Sequence, residues 1–253
     1  MATVRAQAKL TLSLRITGVR SDGYHLIDAE MVTLDLADIL TITPGSVGLT
    51  CDGPFAEGVP MDGSNLVARA LDFVGRTAAV HIRKEIPHGG GLGGGSSDAA
   101  AILRWAGYRD TVGAAVLGAD VPFCLAGGRA RVRGIGDVVE PMPLLPKLIT
   151  LVIPPLTVST PAVYRAWDEL GGPSSNSLND GSLNDPLLND LESAALVVEP
   201  RLTEWRDRIT KAAGRRPTLA GSGATWFLEG HHRIAAELPE ALVILTEAAP
   251  ITD

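Results

Sequence analysis

Between Lys9 and Ile16 apolar and polar residues alternate: Leu10, Leu12, Leu14 and Ile16 against Lys9, Thr11, Ser13 and Arg15. A period of two predicts a half-buried strand that carries Lys9 and Thr11 on the same face. Ser21-Asp22-Gly23 signals a turn, and Tyr24-His25 follow it. Further strands are predicted over Glu30–Leu36, Ile39–Thr43 and Val47–Cys51, the first two separated by Ala37-Asp38. A helix is predicted from Asn65 to Val74, with Ser64 as its cap and Leu66, Ala70 and Phe73 on one side. A strand over Ala79–Glu85 then leads into PHGGGLGGGSSDAA (87–100), followed by a helix from about Ser97 through Trp105. Beyond it come a short helix over Thr111–Leu117, an apolar segment holding Asp120, and an edge strand, Arg129–Arg133, before the Gly134-Ile135-Gly136 turn.

A second unit begins near Lys147. Leu148–Ile153 is a buried-type strand stopped by Pro154-Pro155. Thr160 and Pro161 read as cap and first turn of a helix over Ala162–Leu170. Gly171–Pro186 is a Gly-, Ser-, Asn- and Asp-rich loop, expected to be mobile, with Ser-Leu-Asn-Asp at 177–180 and 182–185. Helices over Asp190–Val198 and Arg201–Ala213 follow, the latter with Leu202, Trp205 and Ile209 on one face. Thr218–Leu228 holds a second glycine loop, Ala220-Gly221-Ser222-Gly223-Ala224, ahead of a Trp226-Phe227-Leu228 strand. A short helix (Arg233–Leu238) and a strand (Leu242–Thr246) complete the pattern.

Composition narrows the function classes. The 253 residues are 45% hydrophobic, which supports a substantial core. A net charge of −7 argues against general nucleic-acid or anionic-membrane binding, while leaving room for a small anionic ligand in a local positive field. Cys51 and Cys124 form no zinc pattern and no disulfide framework, and read as reduced, buried thiols of a cytosolic protein. No apolar run reaches membrane-spanning length, and the first ten residues lack the apolar segment of a signal peptide. A bacterial cytoplasmic enzyme fits.

Six of the fourteen residues from Pro87 to Ala100 are glycine, and they lie between a strand and a helix. Glycines allow positive φ and close backbone approach to a ligand. Successive N–H groups and the free N–H donors of a helix start favour a polyphosphate. A flexible linker would not need the alanine-rich helix that follows. Gly89, Gly91 and Gly94 satisfy G-x-G-x-x-G, but no β-α-β unit with a closing acid accompanies them. No Gly-Lys-Ser/Thr follows, so the loop is not a Walker A sequence. Taken singly, Lys9 reads as a solvated lysine, and Tyr24-His25 as packing. Asp120, in its apolar segment, must cap a backbone or meet a cation.

The lysine strand, PHGGGLGGGSSDAA and LAGSGAT together resemble the GHMP kinases in order and spacing. AKLTLSLRITGVRSDGYHLID (8–28), LGADVPF (117–123), GIGDVVEPM (134–142), STPAVYRAW (159–167) and NDLE (189–192) resemble the branch whose acceptor is a cytidyl diphosphate-linked polyol. The resemblance implies a two-domain α+β fold. Residues 1–145 would form a nucleotide-binding domain like domain 2 of ribosomal protein S5, and residues 146–253 a ferredoxin-like domain. It implies ATP-dependent phosphorylation of the 2-hydroxyl of 4-diphosphocytidyl-2-C-methyl-D-erythritol, in the non-mevalonate route to isoprenoids, with ATP and Mg²⁺ as cofactors. By the same resemblance Lys9 and Asp120 are the catalytic pair. Tyr24, His25 and Tyr164 hold the cytosine, with Thr11, Gly221, Ser222 and Gly223 also at the acceptor. Asn65 lies in the region of the adenine pocket. Pro87, Gly89, Gly90, Gly91, Leu92, Gly93, Gly94, Gly95, Ser96 and Ser97 hold the ATP phosphates. No Walker-type metal ligand is visible; Ser96 or Ser97 is the candidate hydroxyl.

These roles suit the chemistry. Transfer to an alcohol needs the acceptor oxygen in line and the developing charge neutralised. Asp120, kept ionised by Lys9, can accept the hydroxyl proton, and Lys9 can stabilise the alkoxide or the migrating phosphoryl group. The chain departs from the family at Thr11, where Asn is usual, and it is shorter in its second half. Two other readings stay open: a GHMP kinase for a small alcohol such as homoserine or mevalonate, and a non-catalytic nucleotide-binding relative.

Overall fold

The computed structural model describes residues 1–172 and 189–252. Most of the loop expected over 171–186, with both Ser-Leu-Asn-Asp copies, lies outside the described residues.

Two long strands, β1 (Ala2–Val19) and β2 (His25–Pro44), form an antiparallel hairpin that frames the first sheet. Its turn closes through Gly23 N–H to Arg20 O at 2.9 Å and Arg20 N–H to Tyr24 O at 2.8 Å. Gly23 sits at φ +87°, a conformation that suits glycine. Tyr24 and His25 are thereby fixed at the hairpin tip. β2 runs through Ala37-Asp38 unbroken, where the sequence predicts two strands. The Asp38 carboxylate is fully buried and accepts from Glu85 N–H (2.6 Å) and Ile86 N–H (2.8 Å). A distant segment satisfies this charge, so it does not interrupt the strand.

β1 is not half-buried: Lys9 and Thr11 are 6% and 3% exposed. Leu10 and Leu12 pack with Ile86, Leu92, Leu151 and Phe227, whereas Leu14 and Ile16 join the main core. The register shift between Thr11 and Ser13 falls between these pairs. A bulge there bends the strand and ends the simple alternation.

β3 (Gly48–Asp52), β4 (Ala78–Arg83), β5 (Arg129–Gly134) and β6 (Val138–Met142) complete the sheet in the order β3-β4-β2-β5-β6, with β1 also on β2. β5 is therefore internal and not an edge strand; β6, unforeseen because its apolar run is short and holds Pro141, covers it. Helix α1 (Leu66–Phe73) is capped by Asn65, not Ser64: Asn65 Oδ1 accepts from Val67 N–H at 2.8 Å. Its buried residues are Val67 and Ala70, and Phe73 is 39% exposed, so the expected apolar side is rotated. Helix α2 (Gly94–Trp105) starts three residues before the expected Ser97, with left-handed Gly93 as cap. Its first turn is thus part of the glycine loop. α3 (Thr111–Ala114) and α4 (Val121–Ala126) follow, Asp110 capping the former and Asp120 occupying the cap position of the latter.

The second sheet has the antiparallel order β10-β7-β9-β8, from β7 (Leu148–Ile153), β8 (Thr218–Leu219), β9 (Trp226–Glu229) and β10 (Leu242–Glu247). This order, with α5 (Thr160–Glu169), α6 (Glu192–Val198) and α7 (Arg201–Ala213) after β7, is a ferredoxin-like arrangement. Ser159, not Thr160, occupies the cap position of α5, without a side-chain cap bond, and the Thr160 hydroxyl meets Ser222 instead. α6 starts at Glu192 because Asn189 and Asp190 tie to β1: Asp190 N–H donates to Leu14 O at 2.9 Å and its carboxylate accepts from Ile16 N–H at 2.8 Å. The expected helix at Arg233–Leu238 is only a 3₁₀ turn, Ala235–Glu237. Leu202, Trp205 and Ile209 are buried on α7 as the pattern predicts. Side chains of both halves, Ile102 and Trp226 among them, share one core. Cys124 is buried, whereas Cys51 is only partly so.

Candidate active site

β1 and the α4 cap meet at one point. Lys9 Nζ lies 3.2 Å from Asp120 Oδ2 and donates to Thr11 Oγ1 at 3.3 Å. The Lys9 side chain is 7% exposed and that of Asp120 35%, so the ammonium is enclosed and the carboxylate faces the cleft. Although Asp120 holds the cap position, its side chain makes no cap bond and stays available. Gly136, at φ +106°, brings its Cα against the Ala119 carbonyl; a Cβ there would collide with that oxygen. The GIGD turn thus seats the residue beside Asp120.

The glycine loop closes over Lys9. Lys9 N–H donates to Leu92 O at 3.0 Å. Gly93 has φ +72°, and a Cβ on it would stand 2.7 Å from Lys9 Cγ. A Cβ on Gly91 would meet Ala220 O and Gly223 O at 3.1 and 3.2 Å, so the two glycine loops pack backbone to backbone. The α2 start has no side-chain cap, which leaves first-turn N–H groups for an anion. Ser96 and Gly91 line the cleft. Ser97 is buried and donates to Cys124 Sγ at 3.5 Å, so it faces inward. Asn65 spends its side chain on Val67 N–H and on Pro60 O (2.7 Å). Pro87 is buried and Gly89 exposed, at the loop's entry.

At the far end of a cleft of about 820 Å³, His25 meets α5. Its ring lies 4.7 Å from that of Tyr164 and 5.4 Å, edge-on, from that of Trp167. Its Nε2 is 2.8 Å from Asp168 Oδ1. Burial, and then the Asp120 charge, push the Tyr164 hydroxyl up to about 12, so it stays neutral. Tyr24 is 62% exposed and lines the same cleft. Ser222 Oγ is 2.7 Å from Thr160 Oγ1, and buried Asn189 donates to Leu219 O (2.9 Å) and Gly221 O (2.6 Å). Of the residues expected at the acceptor, Thr11, Tyr24, His25, Tyr164, Gly221 and Ser222 line one cleft with Lys9 and Asp120; Gly223 sits behind them, against Leu219.

Sequence reasoning missed a buried charge cluster below the loop. Lys84 Nζ pairs with Asp38 and, at 2.7 Å, with Asp98 Oδ2. It ties β2 and the loop's entry to α2, and Gly94 packs on it: a Cβ there would be 3.3 Å from Lys84 Nζ. Burial raises the Asp98 carboxyl to about 7, with Lys84 opposing. Asp98 Oδ1 has no partner. The signals were a lysine ending a strand and an aspartate in the second turn of an apolar helix.

Among the described residues no cluster of three His, Cys, Asp or Glu could hold a metal, and no helix is long and apolar enough to cross a membrane.

A glycine loop opening a helix, a second glycine loop packed on it and a lysine–aspartate pair between two sheets define a GHMP kinase. The model of the GHMP kinases N terminal domain matches residues 65–128. A mevalonate kinase from L. major, 16% identical, shares the fold with a TM-score of 0.65 over 99% of this chain and 96% of its own. The 4-diphosphocytidyl-2-C-methyl-D-erythritol kinase of Paracoccus denitrificans is 41% identical over 231 residues, 88% of this chain and 84% of its own. A crystal structure of 4-(cytidine 5'-diphospho)-2C-methyl-D-erythritol kinase is 34% identical, with a TM-score of 0.78 over 98% of this chain and 100% of its own. The chain belongs to the 4-diphosphocytidyl-2-C-methyl-D-erythritol kinase family.

Proposed function

We infer that the cleft transfers the terminal phosphoryl group of ATP to the 2-hydroxyl of 4-diphosphocytidyl-2-C-methyl-D-erythritol, giving the 2-phosphate and ADP. The single observation that carries the mechanism is the 3.2 Å approach of Lys9 to Asp120 at the wall of a cleft large enough for the acceptor. Asp120 accepts the hydroxyl proton as the acceptor oxygen attacks. Lys9 offsets charge on the migrating group. Thr11 fixes the ammonium from below.

The α2 N-terminus and the glycines from Gly89 to Gly95 suit the ATP phosphates; a Cβ at Gly91 would meet the backbone of the second glycine loop, and one at Gly93 the Lys9 side chain. Mg²⁺ fits a site of this type through phosphate oxygens and water. Ser96, which lines the cleft beside the α2 start, could contribute a hydroxyl. Bound there, the ion would neutralise phosphate charge. The ring of Tyr164 and the edge of His25 suit a flat base. We place the division between nucleotide-binding and ferredoxin-like domains after residue 145, between the two sheets. A bacterial cytoplasmic setting follows from the same reading.

A small-alcohol acceptor would leave the His25–Tyr164 end of the cleft empty, which disfavours the homoserine or mevalonate reading. An ADP-release assay against the cytidyl polyol, homoserine and mevalonate tests the assignment. Turnover of the cytidyl compound alone is expected; turnover of only a small alcohol would replace it.

A further inference from the structure

Asp168 stands one helical turn beyond Tyr164 on α5, and both line the cleft with His25. The His25 side chain is 9% exposed and that of Asp168 is 49% exposed. Trp167, packed edge-on at 5.4 Å, and Tyr164 at 4.7 Å hold the imidazole in place. Asp168 Oδ1 then meets Nε2 at 2.8 Å.

An ionised carboxylate only accepts hydrogen bonds, so the shared proton sits on Nε2. The hydrogen bond made by one ring nitrogen sets the role of the other. In the neutral ring Nδ1 becomes a lone-pair acceptor, and among the described residues no protein group donates to it. A lone pair there welcomes an amino group and repels a carbonyl oxygen. Cytosine carries an amino group at the ring carbon where uracil carries a carbonyl oxygen.

We propose that Asp168 is a positioning residue that fixes the Nε2–H tautomer of His25 and thereby makes this cleft prefer a cytidine diphosphate group to a uridine diphosphate group. The inference deepens the acceptor assignment above and rests on it.

The test uses the full-length protein with CDP and UDP as unreactive probes, in wild type and in Asp168→Ala. Imidazole nitrogen NMR of the free wild type should show the Nε2–H form at His25, and the variant should show a mixture. Calorimetry should give a wild-type preference for CDP of about tenfold, the equivalent of one good hydrogen bond. That preference should shrink to about threefold or less in Asp168→Ala, with ATP affinity unchanged. His25→Ala should lose the same preference, and adding Asp168→Ala to it should cost nothing more. A merely structural role would lower ATP affinity and melting temperature together and leave the CDP-to-UDP ratio alone. The proposal is overturned by an Asp168→Ala protein with the wild-type ratio, by a wild type without the preference, or by a ring protonated on Nδ1 alone. Turnover of the cytidyl polyol, measured separately, decides the reaction assignment and leaves the binding ratio to decide this one.

Discussion

The Lys9 ammonium reaches Asp120 at 3.2 Å although the two residues are more than a hundred positions apart. Three contacts bring them together. The Leu92 carbonyl holds the Lys9 backbone, Thr11 accepts from its Nζ, and Gly136 packs against the residue before Asp120. A lysine this enclosed is stable because a carboxylate and a hydroxyl replace its water.

Gly93→Ala should damage both stability and turnover. Its backbone sits at φ +72°, and the new Cβ would press on Lys9 Cγ at 2.7 Å. Strain of this kind costs about 1–3 kcal/mol. A thermal melt should show that loss, and kcat should fall at least about tenfold as Lys9 shifts. A variant that melts and turns over like wild type would mean that the loop does not clamp Lys9.

Tyr164→Ala should raise KM for the cytidyl acceptor about tenfold, since one aromatic wall of the base site is lost. KM for ATP should hold, and Tyr164→Phe should behave nearly as wild type, the hydroxyl being neutral. Steady-state kinetics with each substrate varied in turn will separate these effects. A change confined to the ATP side would place the ring elsewhere in the reaction.

Asn189→Ala should destabilise without touching the chemistry directly. Its amide donates to the carbonyls of Leu219 and Gly221 and its oxygen accepts from Leu191 N–H. Buried groups left without this partner cost about 2–4 kcal/mol in total. Urea unfolding midpoints measure this, and a shift below a few tenths of a kcal/mol would show that water replaces the side chain.

The charge cluster under the loop predicts a pH dependence. Burial raises Asp98 from 3.8 to about 7, so the native chain binds its proton more tightly than the unfolded chain. The stability this proton contributes is complete below pH 3.8 and is lost as pH rises through about 7. Asp98→Asn cannot titrate there. The stability of wild type minus that of the variant should therefore decline across this range, followed by denaturant unfolding at several pH values. A rising difference would mean that Asp98 is ionised throughout.

Local pattern revealed much of this fold. Leu148–Ile153 and Arg201–Ala213 coincide with β7 and α7, because a continuous apolar run and a clean helical face are set by neighbours in sequence. The misses share one cause, a distant partner. Asp38 reads as a strand break until Glu85 and Ile86 satisfy it, and β5 reads as an edge until β6 covers it. At the site, the resemblance to the GHMP kinases pointed to Lys9, Asp120, His25 and Tyr164, each of which reads as ordinary surface, packing or capping when taken singly, and the fold gathers all four in one cleft. Asp168 and Lys84 were not legible, since a helix carboxylate and a strand-end lysine look like solvated charges until the fold gives them His25 and Asp98.

The most direct measurement is single-turnover phosphoryl transfer to the cytidyl polyol by Asp120→Asn, which keeps the shape of the side chain and removes its basicity. The rate should fall about 10²–10⁴-fold, the usual contribution of a general base, while ATP affinity by calorimetry stays within about threefold of wild type. Transfer at the wild-type rate would remove Asp120 from the reaction and with it the role given to its pairing with Lys9.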